Sequence, residues 1–273
     1  MKHFLIVGAA AITLAAGSAF AADIPVKAKA PAVVAAYNWT GFYVGGNVGY
    51  GWGSDTGALW DSQVDAPLIG IIPYFAVGGN VLPGVKPSGV IGGAQIGYNW
   101  QAAPNWVLGL VTDIQASDMR ALASTTVTPG GGAATSIQSN NSRIDWFGTA
   151  RGRIGYAASN WLFYGTGGLA YGGVKSDLTF NCTTCGVPTI WAGSNSSTQV
   201  GWAAGAGIEV GLTPNWTVGV EYLHFDLGSI STTAVPDTAI AAGTSVTADS
   251  KFAGDIVRAT VNYRFSAPVV AKY

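Results

Sequence analysis

The stretch "APNW" at Ala103–Trp106 occurs three times in this chain, with small changes in its first two letters. "ASNW" occupies Ala158–Trp161 and "TPNW" occupies Thr213–Trp216, so the starts at 103, 158 and 213 are 55 residues apart both times. Pro presets the backbone φ angle and Asn bonds its own backbone, so each stretch predicts a tight turn. The even spacing predicts that these turns connect units of one repeated architecture.

The segments that flank the turns alternate between apolar residues and small or polar residues. In "QVGWAAGAGIEVGL" (Gln199–Leu212), for example, Val200, Trp202 and Ile208 share one parity. A period of two indicates β-strands rather than helices. Eight such segments are predicted, at about 39–53, 88–101, 106–118, 142–157, 161–175, 199–212, 216–228 and 251–265. Their connections alternate between the three short turns and four long segments, at about 54–87, 119–141, 176–198 and 229–250.

A tryptophan follows each short turn, which places an aromatic ring at the same height on successive strands. Such a level is typical of a membrane–water interface. Because backbone groups cannot stay unpaired in lipid, the strands must close into a ring. We therefore expect an all-β fold, an eight-stranded antiparallel transmembrane β-barrel with three short periplasmic turns and four long extracellular loops. A soluble sandwich would instead carry charge on its outward face. The predicted periplasmic aromatic girdle is Trp39, Trp100, Trp106, Trp161 and Trp216.

The N-terminus has the features of an export signal. Lys2 and His3 precede the apolar run Phe4–Gly17, and small residues follow at Ala19 and Ala21. This order predicts a cleaved secretory signal peptide. The predicted organisation is a signal peptide at 1–21, a periplasmic N-terminal segment at 22–38, the barrel at 39–265 and a periplasmic C-terminal tail at 266–273.

Composition argues against several functions. Charged residues are 10% of the chain, well below the usual value of about 25%, and a net charge of −1 gives no basic patch for nucleic acid. Cys182 and Cys185 have the spacing of a redox motif or of half a zinc site, but a local disulfide is favoured because no second pair and no nearby histidine accompany them. "GTGGLA" (Gly165–Ala170) matches a relaxed dinucleotide motif without opening a helix. No cofactor or metal is expected.

Charged residues on the inward parity are balanced in sign. Eight strands enclose only enough space for side chains, so unpaired charges there would be costly. We therefore predict that the lumen is plugged by an ion-pair network of four acids and four bases, namely Asp113, Asp145, Arg151, Arg153, Glu209, Glu221, Arg258 and Arg264.

The last predicted strand ends in "VNYRF", with Val261, Tyr263 and Phe265 on one face. A terminal strand of this kind offers an edge for recognition by strand pairing. These three residues are therefore predicted to be the signal that the barrel-assembly machinery reads during biogenesis.

Several motifs together carry a family resemblance. "YNWTGFYVGGNVGYGWG" (Tyr37–Gly53), "WFGTARGRIGYA" (Trp146–Ala157), "WLFYGTGGLAYGG" (Trp161–Gly173), "VEYLHFDLG" (Val220–Gly228) and the closing "NYRF" resemble the α-proteobacterial outer-membrane immunogenic proteins. These are porin-family surface antigens with an OmpA-like eight-stranded barrel. The resemblance covers the whole mature chain, and it implies an abundant, lipopolysaccharide-associated protein of the Gram-negative cell outer membrane. The word porin in the family name is not evidence of transport.

Three functions are compatible with this sequence. The favoured one is a non-enzymatic structural and surface-antigen role in outer-membrane integrity, with outer-membrane lipid and lipopolysaccharide as partners. The second is a small-solute porin channel, which the low strand number disfavours. The third is a lipid A-modifying enzyme, for which His224 with Asp226 or Ser229 is the candidate site. The apolar stretch 66–79 in the first long connection is predicted to fold against the barrel mouth or to contact lipopolysaccharide.

Overall fold

The computed structural model describes residues 37–53, 60–64, 85–127, 136–182, 188–239 and 244–265. Within these ranges no helix is long and apolar enough to cross a membrane. The described chain forms nine strands: β1 (Gly41–Gly53), β2 (Trp60–Val64), β3 (Ser88–Ala103), β4 (Trp106–Val127), β5 (Ser136–Ala158), β6 (Trp161–Cys182), β7 (Thr189–Gly211), β8 (Trp216–Pro236) and β9 (Thr244–Phe265).

Eight of these strands close into a ring. Each pairs antiparallel with its neighbour in the order β1-β3-β4-β5-β6-β7-β8-β9, and β1 also pairs with β9 from Phe42↔Phe265 to Gly53↔Gly254. The short strand β2 pairs with Thr244–Ala248 of β9 and so continues the wall beyond the end of β1. In the barrel, the lower end is the one with the three short turns, and the upper end is the opposite one, so β2 lies above β1. The predicted eight-stranded antiparallel barrel is confirmed.

The strands run further than the sequence predicted. β4 reaches Val127, β6 reaches Cys182 and β9 starts at Thr244, so the predicted long connections at 119–141, 176–198 and 229–250 are mostly strand. The period of two persists there, and on β6 apolar residues face inward while polar residues face outward. Leu178 and Phe180 are buried, for example, whereas Asp177 is partly exposed. Because few of the outward residues in these segments are apolar, the strand extensions were wrongly predicted to be loops.

Irregularities in the strand pairing invert the inward parity. Between β4 and β5 the register shifts at Ala116/Met119, and between β5 and β6 it shifts at Ile144/Trp146. As a result, Phe147 faces inward below the shift and Ile144 faces inward above it. β8 and β9 shift in the same way between Asp226 and Ser229, where Gly228 adopts a φ of 78°. A bulge changes the face on which every later side chain lies.

Four of the five predicted girdle tryptophans lie on the outward face at the short-turn end: Trp100, Trp106, Trp161 and Trp216. The prediction for Trp39 is wrong, because its side chain is fully buried inside the barrel mouth. Val261, Tyr263 and Phe265 face outward, and their role in assembly stays a prediction. The predicted signal peptide, the N-terminal segment up to residue 36, the C-terminal tail, the stretch 66–79 and Cys185 lie outside the described residues. Cys182 is disulfide-bonded.

Candidate functional site

A closed cluster of two carboxylates and two guanidinium groups crosses the middle of the barrel. Arg151 Nη1 lies 2.9 Å from Glu221 Oε1, and Arg151 Nη2 lies 3.0 Å from Asp113 Oδ2. Arg258 Nη2 lies 2.9 Å from the same Asp113 oxygen and 2.6 Å from Glu221 Oε2. Each arginine thus contacts both acids, and no side chain of the four is more than 4% exposed.

The four residues come from opposite walls of the barrel. Asp113 and Arg151 lie on the adjacent strands β4 and β5, whereas Glu221 and Arg258 lie on the adjacent strands β8 and β9. In the ring order, β4 faces β8 and β5 faces β9. Thr149 donates from Oγ1 to Asp113 Oδ2 over 2.7 Å, which adds a neutral donor to the cluster. The cluster therefore spans the full width of the lumen.

A second polar layer lies nearer the short turns. Arg153 Nη2 is 2.8 Å from Glu209 Oε2, and the Arg153 guanidinium lies 3.9 Å from the centre of the Tyr164 ring. The other Glu209 oxygen accepts from Thr217 Oγ1 over 2.5 Å and from Asn262 Nδ2 over 3.2 Å. A carboxylate with three donors around it is well satisfied, so this layer also fills the lumen without a free charge on Glu209.

The residues just before β1 close the mouth at the short-turn end. Trp39 packs with Leu162 and Tyr164 inside the mouth, and its backbone N–H donates to Gln101 Oε1 over 2.9 Å. Tyr37 packs against Trp39 with the two rings tilted by 60° and their centroids 4.8 Å apart, and the Arg264 guanidinium lies 4.9 Å from the centroid of the Tyr37 ring. These contacts explain why Trp39 is absent from the outward girdle.

Arg264 differs from the prediction in its partners. It is buried in the lumen, but it donates from Nη2 to the backbone carbonyls of Asn38 and Thr40. No ion pair of Arg264 occurs among the described residues. Its position next to the inward-turned segment before β1 gives it carbonyl and aromatic partners, so Arg264 anchors the mouth instead of joining the ion-pair network.

Asp145 does not enter the lumen. It lies at the register shift between β5 and β6, where the inward parity changes, and its side chain is 52% exposed. On the outward face Asp145 Oδ1 pairs with Arg143 Nε at 3.1 Å. Of the eight charged residues predicted for the lumen, the structure therefore buries seven there, and six of those seven form ion pairs within the lumen.

An apolar layer above the ionic cluster was not predicted. It contains Phe147, Leu223, Phe225, Phe252 and Ile256, all at most 2% exposed. The Phe147 and Phe225 rings lie 5.0 Å apart, so the layer is packed across the lumen from β5 to β8. Further up, Leu178, Phe180 and Trp191 form a second buried apolar cluster. The sequence signal was the alternation Leu223, Phe225, Leu227, whose parity matches that of the inward Glu221.

The profile that describes the outer membrane protein beta-barrel domain matches residues 7–265 of this chain. This chain belongs to that outer-membrane β-barrel family. Its relatives include the 31 kDa outer-membrane immunogenic protein of Brucella melitensis biotype 1, which is 35% identical over 97% of this chain and 100% of its own length. The 22 kDa outer membrane protein of Rhizobium leguminosarum bv. viciae is 32% identical over 70% of this chain and 66% of its own. The outer membrane protein OprG of Pseudomonas aeruginosa overlaps 84% of this chain and 98% of its own with a TM-score of 0.42 and 15% identity.

As a member of this family, the protein is located in the Gram-negative outer membrane. Its named relatives are described as outer membrane or immunogenic proteins and not as enzymes. Within the described ranges no group of three or more histidine, cysteine, aspartate or glutamate side chains is arranged to hold a metal ion. His224, the candidate catalytic residue, has Nδ1 2.9 Å from Asp255 Oδ1, so its hydrogen bond goes to neither Asp226 nor Ser229.

Proposed function

We propose that this outer-membrane barrel is closed to solutes and acts as a structural, surface-exposed component of the outer membrane. The observation that carries the proposal is the closed cluster of Asp113, Arg151, Glu221 and Arg258 across the lumen. The apolar layer above it and the aromatic mouth below it fill the same passage at two further levels. A solute would have to displace all three.

The remaining space in the ionic region supports this proposal. The cavity there, lined by residues that include Tyr43, Gln95 and Thr260, has a volume of about 10 Å³. A cavity of that volume holds about one water molecule. Barrels that leave an open aqueous channel have about 16–18 strands. The small cavity and the low strand number therefore support the closed barrel over the small-solute porin.

Conductance in planar lipid bilayers tests the proposal directly. The purified wild type is expected to show no steady conductance. The double variant Arg151→Ala/Arg258→Ala is expected to stay closed, because the apolar layer and the aromatic mouth still fill the passage. The same variant with Trp39→Ala, Phe147→Ala and Phe225→Ala added is expected to leak, because all three levels are then opened. Arg143→Ala, which removes an outward arginine, is the matched control and should stay closed. Large, stable, nanosiemens-scale channels in the wild type would reject the closed barrel and support the porin.

Orientation in the membrane is part of the same proposal. We place the short turns in the periplasm and the extended strand ends outside the cell. Outward ion pairs such as Arg143–Asp145 at 3.1 Å and Lys175–Asp177 at 3.3 Å then lie where lipopolysaccharide phosphates are available to the basic residues. Leu122→Cys, near the extended end of β4, should react with a membrane-impermeant thiol reagent on intact cells, whereas Ala103→Cys at a short turn should not. The reverse pattern would invert the orientation.

Assembly by the barrel-assembly machinery is proposed to depend on the last strand. Phe265 is outward, lies opposite Phe42 of β1, and has its ring 5.2 Å from that of Tyr263. Phe265→Ala should lower the amount of assembled barrel, while deletion of 266–273 should be tolerated. Phe163→Ala, an equally outward aromatic change on β6, is the control. Equal assembly of all variants would remove Phe265 as the signal.

A non-catalytic role for His224 is also proposed. Its ring is held between Asp255 and the Trp202 ring, whose centroid is 5.4 Å away, and no hydroxyl nucleophile is bonded to it in the described chain. His224→Ala should leave the acylation pattern of lipid A in cells unchanged. A changed pattern would support the lipid A-modifying alternative.

A further inference from the structure

The lipid-facing surface carries a concave groove across strands β5 to β8. Its volume is about 650 Å³, and it is shallow and open to the surrounding lipid. Gly165 and Ala206 form part of its floor. Larger side chains form its walls, namely Ile154, Tyr156, Phe163, Ile208, Val220 and Tyr222.

Small residues continue from the groove floor towards the extended strand ends. Gly165 pairs with Ala206. At the next lipid-facing position along the strands, Gly152 pairs with Gly167, and Gly167 pairs with Ala204. This second row ends at His224, because Ala204 pairs with His224 on β8. The depression is thus open at its upper end towards β8.

The barrel itself does not require glycine at these outward positions. A Cβ atom added to Gly152 or Gly165 would have its nearest neighbour at 3.9 Å, and one added to Gly167 would have it at 3.7 Å. By contrast, a Cβ atom on the inward Gly168 or Gly205 would overlap a neighbouring strand's carbonyl oxygen. Glycine weakens a strand, and it is often found where a ligand approaches the backbone closely. The outward glycines of β5 and β6 therefore leave room for an occupant outside the wall.

A polar cluster borders the upper end of the groove on the same face. Tyr222 lines the groove and donates from its hydroxyl to Asp255 Oδ1 over 2.6 Å. The same oxygen is bonded to His224 Nδ1, and in the next outward row Lys251 Nζ lies 2.9 Å from Asp226 Oδ2. Apolar and polar parts therefore share one residue, Tyr222, and form one continuous surface.

The height of this cluster places it near the level of the lipid headgroups. His224 is eight positions along β8 from the girdle residue Trp216 (224 − 216). A tilted strand needs about 9–11 residues to cross the hydrocarbon layer. The His224–Asp255 pair therefore lies just inside the outer edge of the apolar band, close enough to the headgroup layer for its polar atoms to contact a lipid headgroup.

We propose that the groove and the polar cluster bind a single zwitterionic, two-chain phospholipid, which takes the place of a lipopolysaccharide molecule at this point of the outer leaflet. The acyl chains lie over the small residues of β5 to β7, in continuity with the lipid-facing surface. The headgroup lies over β8 and β9, with its phosphate near Lys251 and its ammonium near Asp226. The cluster holds two carboxylates against one lysine and one histidine, so a headgroup with both signs fits it. The two phosphates of lipid A would meet two carboxylates and only one lysine.

Native mass spectrometry of the protein released from nanodiscs tests this site. The nanodiscs contain equal parts of phosphatidylethanolamine, phosphatidylglycerol and lipid A. The wild type is expected to retain one phosphatidylethanolamine. Gly165→Leu and Ala206→Leu, which fill the floor, are expected to lose it. Gly92→Leu is the matched control, since it is an outward glycine on β3 whose added Cβ has its nearest neighbour at 3.6 Å, and it should retain the lipid.

The headgroup contact has its own test. Asp226→Lys should shift retention from phosphatidylethanolamine to phosphatidylglycerol, because the cluster becomes cationic. Asp177→Lys, the same change at another outward ion pair, should not shift it. The site is overturned if both groove-filled variants, shown to be folded by heat-modifiable gel mobility, retain as much lipid as the wild type. Preferred retention of lipid A, or a second copy of the chain in place of lipid, would overturn it as well.

Discussion

The lumen changes character within two inward positions, from an ionic region to an apolar one. On β8, Glu221 belongs to the ionic cluster, and the next inward residues, Leu223 and Phe225, belong to the apolar layer. On β9, Arg258 and Ile256 show the same step. The two regions are equally buried and fill the same width of barrel, so their difference is one of chemistry rather than of space.

The two regions stabilise the barrel in different ways. Burial of apolar side chains contributes roughly in proportion to the area removed from water. A buried ion cluster contributes little net free energy compared with apolar packing, but the loss of one member leaves an uncompensated charge. The apolar layer should therefore lose stability in proportion to what is removed, whereas the ionic layer should fail at a single deletion.

The largest effect is expected from Arg258→Ala. Asp113 and Glu221 would keep only Arg151, which leaves a buried negative charge and should lower the free energy of unfolding by about 3–5 kcal/mol. Urea unfolding of the purified barrel, followed by tryptophan fluorescence, measures the change. An effect no larger than that of the exposed control Arg143→Ala would mean that the ionic cluster is not closed in the membrane.

Gly211→Leu tests the mouth at the short-turn end independently of the ionic cluster and the apolar layer. A side chain at Gly211 would overlap the Tyr37 ring, so that Tyr37 must leave its position or the wall must shift. Overpacking of this kind should cost about 1–3 kcal/mol. The ionic cluster above should stay intact, so bilayer conductance should remain closed. Urea unfolding and conductance of the same preparation check both statements, and a steady leak would show that the mouth alone seals the barrel.

Ile256→Val probes the graded response of the apolar layer. Loss of one methylene group should cost about 0.5–1.5 kcal/mol. Arg258→Lys, two residues further along β9, keeps the charge but loses the paired contacts of the guanidinium, and it should cost more than Ile256→Val. Urea unfolding of the two variants, measured side by side, compares their losses in free energy of unfolding. A larger loss for Ile256→Val than for Arg258→Lys would mean that the ionic and apolar regions do not differ in their response to substitution.

The smallest effect is expected from Asp145→Ala. The sequence assigned Asp145 to the lumen, but its exposed pair with Arg143 should contribute only about 0–1 kcal/mol. The same urea titration checks it. A loss as large as that of Arg258→Ala would return Asp145 to the interior and contradict the register shift at that position.

Strand periodicity predicted the barrel because the period of two and the repeated turns are local properties of the sequence. Parity also placed Glu221, Arg258 and Glu209 in the lumen correctly, since their strands are regular up to those residues. It failed for Asp145 because a bulge adds one residue to the strand, and counting does not register it. Trp39 was misplaced because the chain turns into the mouth before β1, where contacts with Arg264 decide its position.

The apolar layer was missed for a different reason. Near the short turns an apolar residue faces lipid, so apolar parity was taken to mean outward everywhere. In "VEYLHFDLG" (Val220–Gly228) the rule reverses within one strand: Val220 and Tyr222 face outward, but Leu223 and Phe225 face inward beside the outward His224. The reversal marks the edge of the apolar band, which depends on the solvent around the barrel and not on strand periodicity.

The strand walls that continue past the apolar band have a consequence for immune recognition. On the proposed orientation, antibodies outside the cell meet paired strands such as β6 and β7, which stay in register up to Cys182↔Thr189. Neighbouring exposed residues there belong to different strands, so epitopes on the walls are conformational. A peptide with the sequence of one strand lacks the residues that the adjacent strands contribute to such an epitope. Escape substitutions should accumulate at every second residue, because the alternate positions hold the buried clusters of the interior.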